Sequence, residues 1–126
     1  REIRIKENNE VESYLHWKIC SQRLNSKYTF LTGVGGVLYP QNKLFDQLIE
    51  DFSLANELCP IADDVFFWAV AYYLNLNIIC LGEKTLHDVY ELRNSPKLWD
   101  SNRNLKSKLN NDIQIKAAIR YFGIDF

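Results

Sequence analysis

Methionine is missing from this 126-residue chain, and glycine, proline, cysteine and histidine are sparse, at five, three, three and two. Each shortage narrows the field. Cys20, Cys59 and Cys80 are odd in number and contain no C-x-x-C pair. A disulfide framework therefore fits them poorly, and a reduced intracellular compartment with buried thiols fits better. His16 and His87 match no zinc spacing. There is no excess of either charge: 15 basic side chains face 16 acidic ones, for a net charge of −1. No field favours nucleic acid. The longest apolar run, Val65 to Leu74, is about half of what a bilayer span needs, and no signal peptide is visible. Neither a P-loop nor a G-x-S-x-G elbow occurs. A start at Arg1 without Met reads as the C-terminal piece of a longer protein.

What is present suffices for a packed domain. Hydrophobic residues make up 47% and aromatics 13% of the chain, which argues against global disorder. Ile3 and Ile5 alternate with charged residues, predicting a strand over 1–5, and Glu7-Asn-Asn-Glu10 reads as a turn. Val11 to Ile19 suits a second strand or a short helix. Val37-Leu-Tyr39 reads as a short strand stopped by Pro40. Leu44, Phe45, Leu48, Ile49 and Phe52 fall on one face and predict a helix over 43–52. The stretch 63–74 reads as a buried, nearly all-apolar helix, and Leu76 to Leu81 as a buried strand. Leu86 to Leu92 is ambiguous, and Lys97 to Lys108 is the expected loop. Asn111 with Gln114 matches a capping box, and Gly123 closes the apolar stripe Ile115, Ala118, Ile119 and Phe122. The fold class is α/β, a small mixed sheet with about three helices.

The chemistry concentrates in three places. Asp63 and Asp64 open the apolar helix. Neighbouring helical residues point about 100° apart, so one carboxylate can serve the helix end while the other faces a cleft. Beside Val65-Phe-Phe-Trp68 and a like charge, one of the pair should become more basic. The ordinary alternative is a pair that favours the helix N-terminus. Gly33, Gly35 and Gly36 allow positive φ and close approach of a ligand to backbone. A tight turn explains them equally well. Among the aromatics, Trp17 and Tyr39 are candidates for an exposed sugar-stacking face, whereas Trp68 reads as core.

Thr32-Gly-Val-Gly-Gly-Val-Leu-Tyr-Pro40 followed by Cys59-Pro-Ile-Ala-Asp-Asp64 resembles the acceptor side of bacterial GT-A-fold glycosyltransferases. The likeness is to family-2-like enzymes of capsule and lipopolysaccharide synthesis. Arg1 to Arg4 with Tyr14 and Trp17, Leu98-Trp99 with Asn102, and Asn111-Asp112 with Gln114 extend it over most of the chain. The resemblance implies an inverting transfer from a nucleotide-sugar donor to a saccharide acceptor, free or lipid-linked. Asp64 would be the base, and Asp63 would orient the acceptor or tune Asp64. Gly35, Gly36, Tyr39 and Trp17 would meet the acceptor.

By the same resemblance a divalent metal, Mn or Mg, is expected in the whole enzyme, with His87 as a ligand. The D-x-D element that holds the nucleotide diphosphate is absent, so residues 1–126 read as the acceptor-binding portion, with the nucleotide-binding half elsewhere and little activity alone. The whole enzyme is expected in the cytoplasm, where peripheral attachment at the inner face of the membrane is compatible with it. Two other readings stay open: a non-catalytic carbohydrate-binding or interaction domain, and a Mg-dependent phosphoryl-transfer enzyme using the acidic pair.

Overall fold

The computed structural model describes residues 1–20, 23–33, 36–82, 103–104 and 106–126. Among them are four α-helices and one two-stranded sheet: β1 (Leu24–Asn25), α1 (Lys43–Ile49), α2 (Phe52–Leu58), α3 (Asp63–Tyr73), β2 (Ile79–Cys80) and α4 (Asn111–Phe122). This is a small mixed α/β domain.

Helix α3 is the centre. Val65, Trp68, Ala69 and Val70 are fully buried and Phe66 is 1% exposed, as expected for a helix apolar on nearly every face. It packs against α1, α2 and α4, with Phe66 and Tyr73 meeting Phe122 at ring separations of 6.2 and 5.4 Å. Asn75 ends it in the left-handed region (φ 54°), which Asn tolerates better than most residues. The following Leu76 N–H reaches back to the Ala71 carbonyl at 2.9 Å, closing a Schellman-type stop.

The expected helix over 43–52 is two helices. Asp51 breaks it, its carboxylate accepting from the Leu54 N–H at 3.0 Å to cap α2. Phe52, counted on the apolar face by spacing, is consequently 79% exposed.

The sheet is smaller than expected. Antiparallel pairing joins Leu24 to Cys80 and Asn25 to Ile79. The predicted strand over 76–81 therefore shrinks to two residues, and Leu81 is 72% exposed. No strand forms at 37–39, where Leu38 is 98% exposed. The N-terminal strand reduces to single bridges of Glu2 with Lys18 and Thr29, and of Ile5 with Val11. The turn at 7–10 does form, Asn9 taking a positive φ of 62° and the Lys6 N–H donating to the Glu10 carbonyl at 2.8 Å. A short 3-10 turn, Tyr14–His16, follows.

Backbone hydrogen bonds from Glu2 to Lys18, from Ile3 to Tyr28 and from Phe30 to Arg1, at 2.8, 2.6 and 2.8 Å, fasten the N-terminal segment, and aromatic packing reinforces them. Phe30 lies 5.8 Å from Tyr14, 5.2 Å from Trp17 and 5.4 Å from Trp68 between ring centroids. Each such pair adds about 0.5–1.5 kcal/mol beyond its burial.

Helix α4 forms where expected, with its cap one residue earlier. Asn110, not Asn111, is the capping residue: its Oδ1 accepts from the Ile113 N–H at 3.1 Å. Gln114, 1% exposed, spans the helix entrance. Its amide donates to the Leu109 carbonyl at 2.6 Å, and its oxygen accepts from the Ile61 N–H at 3.1 Å. Gly123 ends the helix at φ 62°, as the stripe and the glycine predicted. Among the described residues no helix is long and apolar enough to cross a membrane.

Candidate functional site

The start of α3 gathers the chemistry. Its capping position is Ala62, which has no side chain to offer the free N–H groups. The acidic pair fills that role. Exposed Asp63 accepts from the Asp64 N–H at 3.0 Å. Half-buried Asp64 turns the other way, and the nearby backbone N–H groups of Val65, Asp64 itself and Gly33 favour its ionised form. The last of these is decisive. Gly33 opens the glycine-rich turn, thirty-one positions earlier in the sequence, so the two segments singled out by the sequence meet at one carboxylate.

Burial is the main reason that Asp64 holds its proton more tightly than usual, and the neighbouring Asp63 charge adds to it. Together they push its pKa up to about 6, against the opposing pull of the three N–H donors. A carboxyl in that range is mostly ionised at neutral pH and roughly a hundredfold more basic than a free aspartate. That suits proton abstraction near neutrality.

Tyr39 stands beside the pair. Burial, then the charges of Asp63 and Asp64, push its hydroxyl up to about 12, which keeps it a neutral hydrogen-bonding group. Its ring is half-buried, stacked on Phe45 at 5.3 Å and edge-on to Phe67 at 5.3 Å. Cys59 lies behind the carboxylate. Burial and the Asp64 charge drive its thiol up to about 12, so it is an inert packing group. Tyr14 senses Asp64 as well. Burial raises its pKa, Asp64 adds to that, and Arg1, whose guanidinium carbon sits 5.0 Å from the Tyr14 ring centroid, works against it. Asp112, in the first turn of α4, fixes this tyrosine by accepting its backbone N–H at 2.7 Å.

The expected site residues therefore separate. Asp63, Asp64 and Tyr39 come together, joined by Gly33. Gly36 takes a positive φ of 89° and donates to the Gly33 carbonyl at 3.2 Å. Trp17 goes elsewhere: it is 2% exposed, its rings packed by Tyr14 and Phe30 and its Nε1 donating to the Glu12 carbonyl at 3.0 Å. An indole enclosed on these sides has no open face for a sugar. Gly35 and His87, like Leu98, Trp99 and Asn102, lie outside the described residues.

No match to this chain was found among protein-family models, curated proteins or solved structures. Among the described residues no three His, Cys, Asp or Glu side chains gather as a metal would require. The acidic pair offers two carboxylates, flanked by a neutral tyrosine and a neutral thiol, and does not by itself make a metal centre. An open groove of about 310 Å³ lined by Glu2, Ile3, Arg4, Ile5 and Lys18 includes none of the site residues.

Sequence reasoning reached the carboxylates and Tyr39. It gave no role to Gly33 beyond a flexible turn, and it missed Asp112 as the clamp on Tyr14. No spacing rule signals a contact between residues 33 and 64. The acidic residue in the first turn of α4 was the one available sign for Asp112.

Proposed function

We propose that this chain is the acceptor-side portion of an inverting GT-A glycosyltransferase that moves a sugar from a nucleotide-sugar donor to a saccharide hydroxyl. The observation that carries the reading is the half-buried Asp64 carboxyl, made more basic by burial and by Asp63 and set near the Gly33 N–H of the glycine loop. In this reading an acceptor hydroxyl docks at the glycine turn beside Tyr39. Asp64 takes its proton as the oxygen forms a bond to the anomeric carbon and the bond to the departing nucleotide phosphate breaks. The configuration inverts because attack comes from the opposite face. The donor, and any divalent metal that stabilises its phosphates, belongs to residues beyond those described.

The test is sugar-nucleotide turnover by the full-length protein, wild type beside Asp64→Asn, with UDP-, GDP- and CDP-sugars in the presence of Mn²⁺. Asparagine keeps an oxygen for the Gly33 N–H and removes the basicity. The expected result is a folded variant whose transfer falls by roughly 10²–10⁴-fold, the usual share of a general base. A folded Asp64→Asn variant with undiminished transfer overturns the assignment. Absence of turnover with every donor and a broad acceptor panel would favour a second reading, a carbohydrate-binding module. There the tie between Asp64 and Gly33 would serve only to shape the loop.

A further inference from the structure

Gln114 touches the turn before α3 at both of its ends, although 53 positions separate it from Ile61. Its side-chain oxygen accepts from the Ile61 N–H at 3.1 Å, and its backbone carbonyl oxygen lies 4.0 Å from the Cys59 sulfur. The amide nitrogen is held from the other side, donating to the Leu109 carbonyl at 2.6 Å and reaching the Asn110 carbonyl at 3.5 Å. With carbonyls at the nitrogen and an N–H at the oxygen, the carboxamide has one orientation. Gln114 is 1% exposed, and the turn it meets is buried at Cys59 and Ala62. That turn is where α3 takes its position. The Ala62 N–H donates to the Cys59 carbonyl at 3.4 Å, and the Ala62 carbonyl accepts from Val65 at 3.1 Å and Phe66 at 3.4 Å, the opening bonds of the helix. Ala62 provides no capping side chain. A side chain of α4 therefore anchors the backbone immediately before the cap, three residues ahead of Asp64. From the same turn of α4, Asp112 holds the Tyr14 N–H at 2.7 Å.

We propose that Gln114 is a positioning residue for Asp64, fixing the Cys59–Ala62 turn and with it the depth at which the carboxyl sits. As a contribution to sugar transfer this rests on the reading above; as a statement of what holds Asp64 in place it stands apart from it. Gln114 carries no charge, so it acts on Asp64 through burial rather than through a field of its own. The titratable groups that feel the Asp64 charge are Asp63 on the same helix, Tyr39, Cys59 and Tyr14. Tyr39 and Cys59 are pushed up to about 12 and Tyr14 is raised as well, so none of these three changes charge near pH 6. Releasing the turn lets water reach the Asp64 carboxyl. The burial that raises its proton affinity is then relieved, and its midpoint falls toward that of an ordinary aspartate.

The experiment is a carbon-13 NMR titration of the aspartate carboxyls of the full-length protein, with the Asp64 signal assigned by its loss in Asp64→Asn. Gln114→Met keeps the length of the side chain and removes its hydrogen bonds. Its Asp64 midpoint should fall from about 6 by about one unit, a loss of roughly tenfold in proton affinity. Gln114→Glu keeps an acceptor for the Ile61 N–H, and any charge it carries disfavours a second one nearby, so its midpoint should stay at the wild-type value or above. Asn110→Ala, which removes the cap of the same helix, should leave the midpoint unmoved although it too weakens α4. A folded Gln114→Met with the wild-type midpoint, a folded Gln114→Glu with a lowered one, or an equal fall in Asn110→Ala would each overturn the proposal. If methionine at this buried position unfolds the chain, the glutamate variant carries the test. In turnover, kcat of Gln114→Met should fall roughly tenfold with KM little changed, and the acid limb of the rate profile should move with the midpoint. The titration needs no turnover, so a failure of the glycosyl-transfer reading and a failure of the Gln114 assignment are told apart.

Discussion

Helices α3 and α4 both begin with acidic residues in the first turn, yet the two ends are finished in opposite ways. At α4 three side chains close the entrance. Asn110 caps it, Gln114 clasps the preceding carbonyl and the Ile61 N–H, and Asp112 is committed to the Tyr14 backbone. At α3 the capping position is an alanine, and the second of the two aspartates is drawn inward, where burial and a like charge raise its affinity for a proton. Acidic residues stabilise helix starts in general. One of these two ends uses that stabilisation fully, and the other holds a carboxylate in a setting that disfavours its charge. Such a local penalty is characteristic of sites selected for chemistry rather than stability.

The contrast can be broken most sharply by activity. On the proposed reading, Asp64→Asn should cost roughly 10²–10⁴-fold in sugar transfer. Asp112→Asn, which keeps an oxygen for the Tyr14 N–H, should leave turnover near wild type. Parallel steady-state assays on the two variants decide whether the ends differ in function. The rate in wild type should also fall as pH drops below about 6, where Asp64 gains its proton.

Stability should then run the other way. Gln114→Ala strips a buried side chain and removes its hydrogen bonds to the Ile61 N–H and the Leu109 carbonyl. It should cost about 2–4 kcal/mol in denaturant unfolding.

Asp64 should behave as a liability that depends on pH. Its native pKa is raised to about 6 from an ordinary 3.8, so the folded state binds the proton more tightly than the unfolded one. Its stabilising contribution is complete below pH 4 and is lost as pH rises through 6. At pH 8, Asp64→Asn should therefore be more stable than wild type, by on the order of 1–2 kcal/mol after allowance for its solvent contact. Melting curves of both proteins from pH 4 to pH 8 should converge at the acid end. A gap that widens toward low pH would reverse the comparison.

The smallest effect belongs to the cap itself. Asn110→Ala should cost about 1 kcal/mol, read as a lowered urea midpoint with an unchanged slope.

The elements legible in the sequence are those whose burial is written locally. The run from Val65 to Tyr73 is apolar whichever face is considered, so its place at the centre needed no partner to be named. The stripe Ile115, Ala118, Ile119, Phe122 and the terminal Gly123 likewise specify α4 by themselves. Capping was less legible, because Asn110 and Asn111 compete for one role and only the geometry of the preceding loop gives it to Asn110. Asp51 shows the converse: its capping bond outweighs an apolar spacing that ran on to Phe52.

The N-terminal segment misled through its alternation. Ile3 and Ile5 suit a strand, but its neighbours supply isolated bridges, whose backbone hydrogen bonds share the fastening with Phe30 and its aromatic partners. In the candidate site, the carboxylates and Tyr39 were visible as residue types at a helix start and a strand stop. The Gly33 tie and the burial of Trp17 depend on contacts between distant segments, which no local pattern encodes.

Trp68, one turn beyond Asp64 on α3, carries an optical consequence. It is fully buried, and its indole N–H has no hydrogen-bond partner among the described residues. Its ring lies between Phe30, Tyr72 and Phe126 at 5.4, 6.0 and 6.4 Å. An indole so shielded from water emits toward the blue and shifts to the red when water reaches it, with Tyr72 close enough to feed it excitation. The central helix thus carries its own lamp, and loss of its packing can be followed by the colour of that light without adding a label.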